Sequence, residues 1–135
     1  MFIRELEGLI PKISKIVGKL ECNVTLTSER EFSEFKAKIE ELDDMVWDEV
    51  WRVLESLAKK YGYNIDISTD GSMPWSGMGF STAYSYIDYV FAGERGEVAR
   101  LTIEIEDHHC VPPACIYYHV QTTVRDIRVT TPDDC

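Results

Sequence analysis

All three histidines and two of the four cysteines fall in one short stretch, His108-His109-Cys110 followed by Cys115 and His119. Thiolate and imidazole are the ligands zinc prefers, and a hairpin turn could bring three or four of these side chains to tetrahedral geometry. The spacing is not the paired C-x₂₋₄-C and H-x₃₋₅-H of a zinc finger or ribbon. Nor does it supply the H-x-E and P-C-x-x-C of a zinc deaminase. The same residues also suit a disulfide between Cys110 and Cys115, or a pair of free thiols. Cys22 and Cys135 are a second candidate pair, and a bridge closing so long a loop would stabilise by about 4 to 5 kcal/mol through chain entropy.

A second constellation depends on strand pairing. The run from Phe80 to Ala92, the turn Gly93-Glu-Arg-Gly96, and the run from Val98 to Asp107 alternate as two half-buried strands. Pairing Ile87 with Ile103 and Tyr89 with Leu101 on the buried side sets Tyr84, Tyr86 and Asp88 beside Glu106, Glu104 and Thr102 on the other face. His119, in the next strand, is expected to join Asp88, Thr102 and Glu104 near Tyr86. Carboxylates beside an imidazole favour its charged form and support acid–base chemistry or a divalent metal. An antiparallel sheet also exposes one polar face as a matter of course. Tyr86, Asp88, Glu104 and His119 are thus binding candidates on the open face.

A third candidate is Trp75. It lies in Asp70-Gly-Ser-Met-Pro-Trp-Ser-Gly-Met-Gly79, which reads as a loop because it holds three glycines and a proline and shows no periodicity. Its apolar tryptophan and methionines suit either a recognition loop or a plug on the end of the core.

The elements that position these residues follow from periodicity. Phe2, Leu6, Leu9, Ile10, Ile13, Ile16, Val17 and Leu20 form an amphipathic stripe that Pro11 interrupts. Cys22, Val24 and Leu26 alternate with Asn23, Thr25 and Thr27 as a strand. Ser28 and Glu31 form a capping box that opens a helical region reaching Tyr61, with Asp43-Asp44 as a candidate break and Gly62 as the stop. Tyr63, Ile65 and Ile67 give a short strand. The last strand alternates Ile116, Tyr118, Val120, Thr122 and Val124, then slips to Ile127 and Val129, which requires a bulge near Arg125-Asp126.

These elements predict a single α+β domain over 1–135: amphipathic helices packed on one face of a mainly antiparallel four- to five-stranded sheet, in the order α-β-α-β-β-β-β. The strand at 22–27 is expected beside the strand at 63–69, parallel to it through a right-handed crossover. The uncovered face and the strand edges suggest a symmetric homodimer.

Composition bounds function. The chain has 135 residues, and its net charge of −10 argues against nucleic acid, which wants a clustered basic surface. The acidic excess peaks between Glu29 and Glu49, where nine carboxylates face three basic residues. Such a run suits a solvated helix face or a basic partner. No stretch approaches the roughly 18 apolar residues of a membrane helix, and charges break up the N-terminus where a secretory signal would be continuous, so a soluble, cytoplasmic protein is expected.

Several partial motifs fail for want of context. Asp107-His-His-Cys110 spells the signature of palmitoyl-transferring membrane enzymes without their cysteine-rich domain or membrane helices. Gly71-Ser72 ahead of Asp88 lacks the second aspartate of a nucleotidyltransferase, since Val90 stands there, and no Gly-Lys-Ser/Thr marks a phosphate loop.

Two functions remain. The first is a small acidic, non-catalytic protein-binding or inhibitor module, without cofactor, that engages a basic protein through its acidic helix or the Trp75 segment. The alternative is a small metal-dependent enzyme, with zinc held by His119 together with His108, His109 or the open-face carboxylates.

Overall fold

The computed structural model describes residues 1–77 and 79–132, with side chains described for all of these except 73–77. Helices α1 (Phe2–Gly8) and α2 (Ile10–Val17) and a 3₁₀ turn at Gly18–Leu20 lead into strand β1 (Cys22–Leu26). Helix α3 (Glu29–Tyr61) is followed by β2 (Asn64–Gly77), β3 (Phe80–Gly93), β4 (Gly96–Cys110) and β5 (Tyr118–Thr130). The strands form one sheet in the order β1-β5-β4-β3-β2, and every neighbouring pair is antiparallel. The chain is an α+β protein, as its periodicity implied.

Pro11 begins α2 from within its first turn, where its missing N–H costs nothing. In α3 the Ser28 hydroxyl accepts the Glu31 N–H at 3.1 Å, and the Glu31 carboxylate reaches back to the Thr27 N–H at 3.1 Å, one residue beyond the usual box. Gly62 ends the helix at φ +71. The expected break at Asp43-Asp44 does not occur. Leu42, Val46 and Val50 pack against the core on either side of it, and that packing outweighs the local preference of aspartate for a cap.

The register of β3 on β4 pairs Ile87 with Ile103 and Tyr89 with Leu101, and the register shift between Glu104 and Ile105 leaves Arg125 of β5 as the bulged residue. Residues 87, 89 and 91 of β3 and 99, 101, 103 and 105 of β4 share one face. They form a single cluster with Phe2, Leu6 and Ile13 and with Val46, Val50 and Leu54 of α3. The Phe2 ring meets Phe91 edge-on, and Trp51 of α3 lies against Tyr89.

Three expectations are corrected. β1 lies antiparallel on β5, not parallel beside β2. The 33-residue α3 is about 50 Å long, enough to carry the chain from one sheet edge to the other. The stretch read as a loop from Asp70 is strand, because β3 would otherwise leave half its ladder unpaired. A register shift between Ser72 and Trp75 accommodates the interval holding Pro74, which has no N–H to give, and Trp75 pairs with Thr82. Lastly, β5 begins at Tyr118, so Ile116 belongs to the preceding loop and is 86% exposed.

Candidate functional site

On the open face, Tyr86 opposes Glu104 and Asp88 opposes Thr102, as the alternation required. The Thr102 hydroxyl donates to Asp88 at 2.5 Å, and Arg100 lies 3.6 Å from the same carboxylate. Glu104 is met by Arg128 at 3.7 Å and Arg125 at 4.0 Å, and Arg125 also reaches Glu106 at 3.8 Å. Arg125 lies over the Tyr84 ring, whose phenol is held above its usual range by a hydrogen bond to Glu106. Arginine therefore lies against each of Asp88, Glu104 and Glu106. His119 points to the same face but is paired with Cys110, six positions along β4 from Glu104, or roughly 20 Å at strand rise. Its Nδ1 contacts the Thr25 hydroxyl at 3.2 Å. The pairing brings Tyr86, Asp88 and Glu104 together and leaves His119 apart from them.

His108 and His109 are consecutive in β4 and face opposite ways. His108 meets Thr82 at 2.9 Å and Glu106 at 3.5 Å on the open face, while His109 lies on the helix side with its ring edge towards Phe32. Cys110 and Cys115 are joined in a disulfide with their Cα atoms 5.8 Å apart, which removes both sulfurs as thiolate ligands. Among the described residues no group of three or more His, Cys, Asp or Glu side chains is placed to hold a metal ion. Cys22 is a half-buried thiol, and its pairing with Cys135 lies outside the described residues, as does the side chain of Trp75.

The disulfide shapes a second feature. It closes the loop after β4 over a separation of five residues, and the loop is tied to the β2–β3 turn by Val111 N–H donating to the Gly79 carbonyl at 2.7 Å. Gly79 has φ +91, and a Cβ there would sit 2.7 Å from the Val111 oxygen, so only glycine permits this approach. Around this junction Ile116 is 86% exposed, Tyr117 52% and Phe80 38%, beside the exposed Pro112, Pro113 and Ala114. Among the described residues, half of the large exposed apolar side chains are gathered at this one end of the sheet.

A third feature lies beneath the first half of α3. The helix-side face of β3 changes along its length from Phe91, Tyr89 and Ile87 to Ser85, Ala83 and Ser81. That of β4 changes from Leu101, Ile103 and Ile105 to Asp107 and His109. The core therefore stops halfway along α3. Two cavities of about 600 and 370 Å³ open beyond it, and Asp107 lines both. Asp43 of α3 lines the smaller one, and burial and the nearby Asp107 hold its carboxyl above the usual range. Burial pushes the His109 imidazole down. Asp107 accepts a hydrogen bond from the Thr122 hydroxyl at 2.6 Å.

Asp43, Asp107, Ile116 and Tyr117 were not singled out as site residues from the sequence. The signal for Asp107 was the inward alternation of β4 ending in polar side chains.

The fold and these features define a small α+β protein with a long helix on one face of a five-stranded sheet and a disulfide-closed apolar tip. No family model, no curated protein and no solved structure matches the chain.

Proposed function

We propose that the protein is a non-catalytic binding module that holds a basic protein partner through the apolar tip, with the acidic surface steering the encounter. The observation that carries the reading is the exposure of Ile116, Tyr117 and Phe80 on a loop closed by Cys110–Cys115. Apolar side chains held out in water gain by burial, about 1.5 to 3 kcal/mol for each one fully covered. A loop already closed by a covalent bridge has less freedom to lose on docking, which is how preorganisation raises affinity. The net charge of −10 makes a basic partner the complementary one and speeds association in a salt-dependent way. A cytoplasmic setting and a homodimer covering the open face are kept within this proposal. Disulfides are rare in mesophile cytosol, so alkylation of the thiols in cells tests the first, and native mass spectrometry tests the second.

The test is parallel capture with the wild type and with Ile116→Asp/Tyr117→Asp, at low and high salt. A basic protein should be retained by the wild type, lost from the variant, and bound more slowly as salt rises. Retention of the same partner by the variant would overturn the reading. The rival reading, a zinc enzyme on the open face, predicts a stoichiometric metal that chelator removes and that His119→Ala loses.

A further inference from the structure

The carboxylates of the three central strands are treated differently on the two sides of the sheet. On the open face Asp88, Glu104, Glu106 and Asp126 each have an arginine within 4.0 Å. Under α3, Asp43 and Asp107 have no such cation among the described residues, although both are half-buried, and burial and the nearby Asp107 hold the Asp43 carboxyl above its usual range. Lys36, the one lysine or arginine lining either cavity among the described residues, is exposed and has its Nζ 5.5 Å from the Phe32 ring centroid. Glu40, exposed at the edge of the smaller cavity, adds further negative charge.

The surroundings select what could answer that charge. The larger cavity has Trp47 on one wall and the smaller has Phe35 and Ile39, so both offer apolar surface beside the carboxylates. Their floor is kept low by small residues: Ser85 and Gly71 in one, Ser81 and Ala83 in the other. A Cβ at Gly71 would meet the Tyr84 carbonyl at 3.1 Å, so a side chain fits there only if the neighbouring strand gives by a few tenths of an ångström. A mostly apolar cavity of several hundred Å³ with a few convergent polar groups is the usual form of a small-ligand site. A hydrated metal ion makes poor use of such walls, whereas a cation carried on an apolar stem matches both the carboxylates and the apolar surface beside them.

We propose that the cleft between the first half of α3 and the sheet, with Asp107 and Asp43 as its anionic pair and Trp47 as its aromatic wall, binds an organic cation, an ammonium or guanidinium on an apolar stem. The cationic head sits between the two carboxylates and the stem lies along Trp47. The site is remote in function from the apolar tip, and neither reading depends on the other. The cation can come from a free amine or from a lysine or arginine side chain of a bound chain.

The test is titration of isotopically labelled protein with benzylammonium and butylguanidinium, followed by amide shifts, with benzyl alcohol as the uncharged control. N-acetyl-lysine-amide serves as the side-chain probe. Saturable shifts at Trp47, Ser85 and Asp107 are expected with the cations, with at least tenfold weaker binding of the alcohol. Asp107→Asn should weaken the cations at least tenfold, and Ser85→Leu, which fills the cleft, should abolish binding while leaving the rest of the spectrum in place. Binding of N-acetyl-lysine-amide as well as the free amines assigns the source to a side chain, and binding of the free amines alone assigns it to a small metabolite. Equal affinity for the alcohol, unaltered affinity in Asp107→Asn, or no saturable shift with any cation would overturn the proposal.

Discussion

Removing the Cys110–Cys115 bridge tests whether the tip is held by covalent constraint. The bridge spans a sequence separation of five, for which the chain-entropy relation gives about 2 kcal/mol of stabilisation. With an unfolding entropy near 2.1 cal/mol/K per residue over 135 residues, that loss lowers Tm by about 7 °C. Cys110 is buried and Cys115 half-buried, so Cys110→Ala/Cys115→Ala also loses some packing. Reducing the wild type keeps both sulfur atoms and supplies an independent value. Thermal unfolding followed by circular dichroism, for the variant and for the reduced wild type, should show both near this loss. Their agreement would assign it to chain entropy. A loss below about 0.5 kcal/mol in both, within the scatter of ordinary surface substitutions, would refute the constraint and with it the preorganised tip.

Other outcomes follow from single groups. The Tyr89 hydroxyl is buried with no hydrogen-bond partner among the described residues, and burial pushes its phenol up to about 12. Tyr89→Phe should therefore stabilise by about 1 to 3 kcal/mol, read as a raised urea midpoint at unchanged m. Asp43 keeps its proton to higher pH in the folded state than in the unfolded chain, because of burial and Asp107. Its contribution to stability is thus fully present below the unfolded carboxylate value and is lost as pH rises through the folded one. Asp43→Asn should raise Tm at neutral pH and give no gain near about pH 3, where both side chains are uncharged; an equal gain at both would refute the electrostatic cause. Gly79→Ala puts a Cβ against the Val111 carbonyl at a backbone angle of +91° and should cost on the order of 1 to 3 kcal/mol in denaturant unfolding.

What could be read from the chain tracks how strongly side-chain size discriminates between the two faces. A one-residue slip of β3 on β4 would have put Ile87 and Tyr89 on the face opposite Leu101 and Ile103, so their register was legible, and so was the bulge at Arg125, where the alternation of β5 changes phase. Alternation says which face a strand buries and nothing about its neighbour, which is why β1 was set beside β2 when it lies on β5. The second half of β2 was hidden by glycine, serine and proline, residues chosen there for a close approach to β3 and a bulge. Ile116 was assigned to the last strand because it keeps step with Tyr118, but it lies in the loop that the disulfide closes before Tyr118, exposed to solvent. Asp43 was read by its local preference for a cap, which carries no information about Asp107 across the cleft.

Hydrogen exchange of the protein with and without its captured partner tests the apolar tip most directly. Binding through the tip predicts slowed exchange confined to the loop from Val111 to Tyr117 and the adjoining β2–β3 turn, absent in Ile116→Asp/Tyr117→Asp. Protection centred on the open face of β4 and β5, with the loop exchanging as fast as in the free protein, would contradict it.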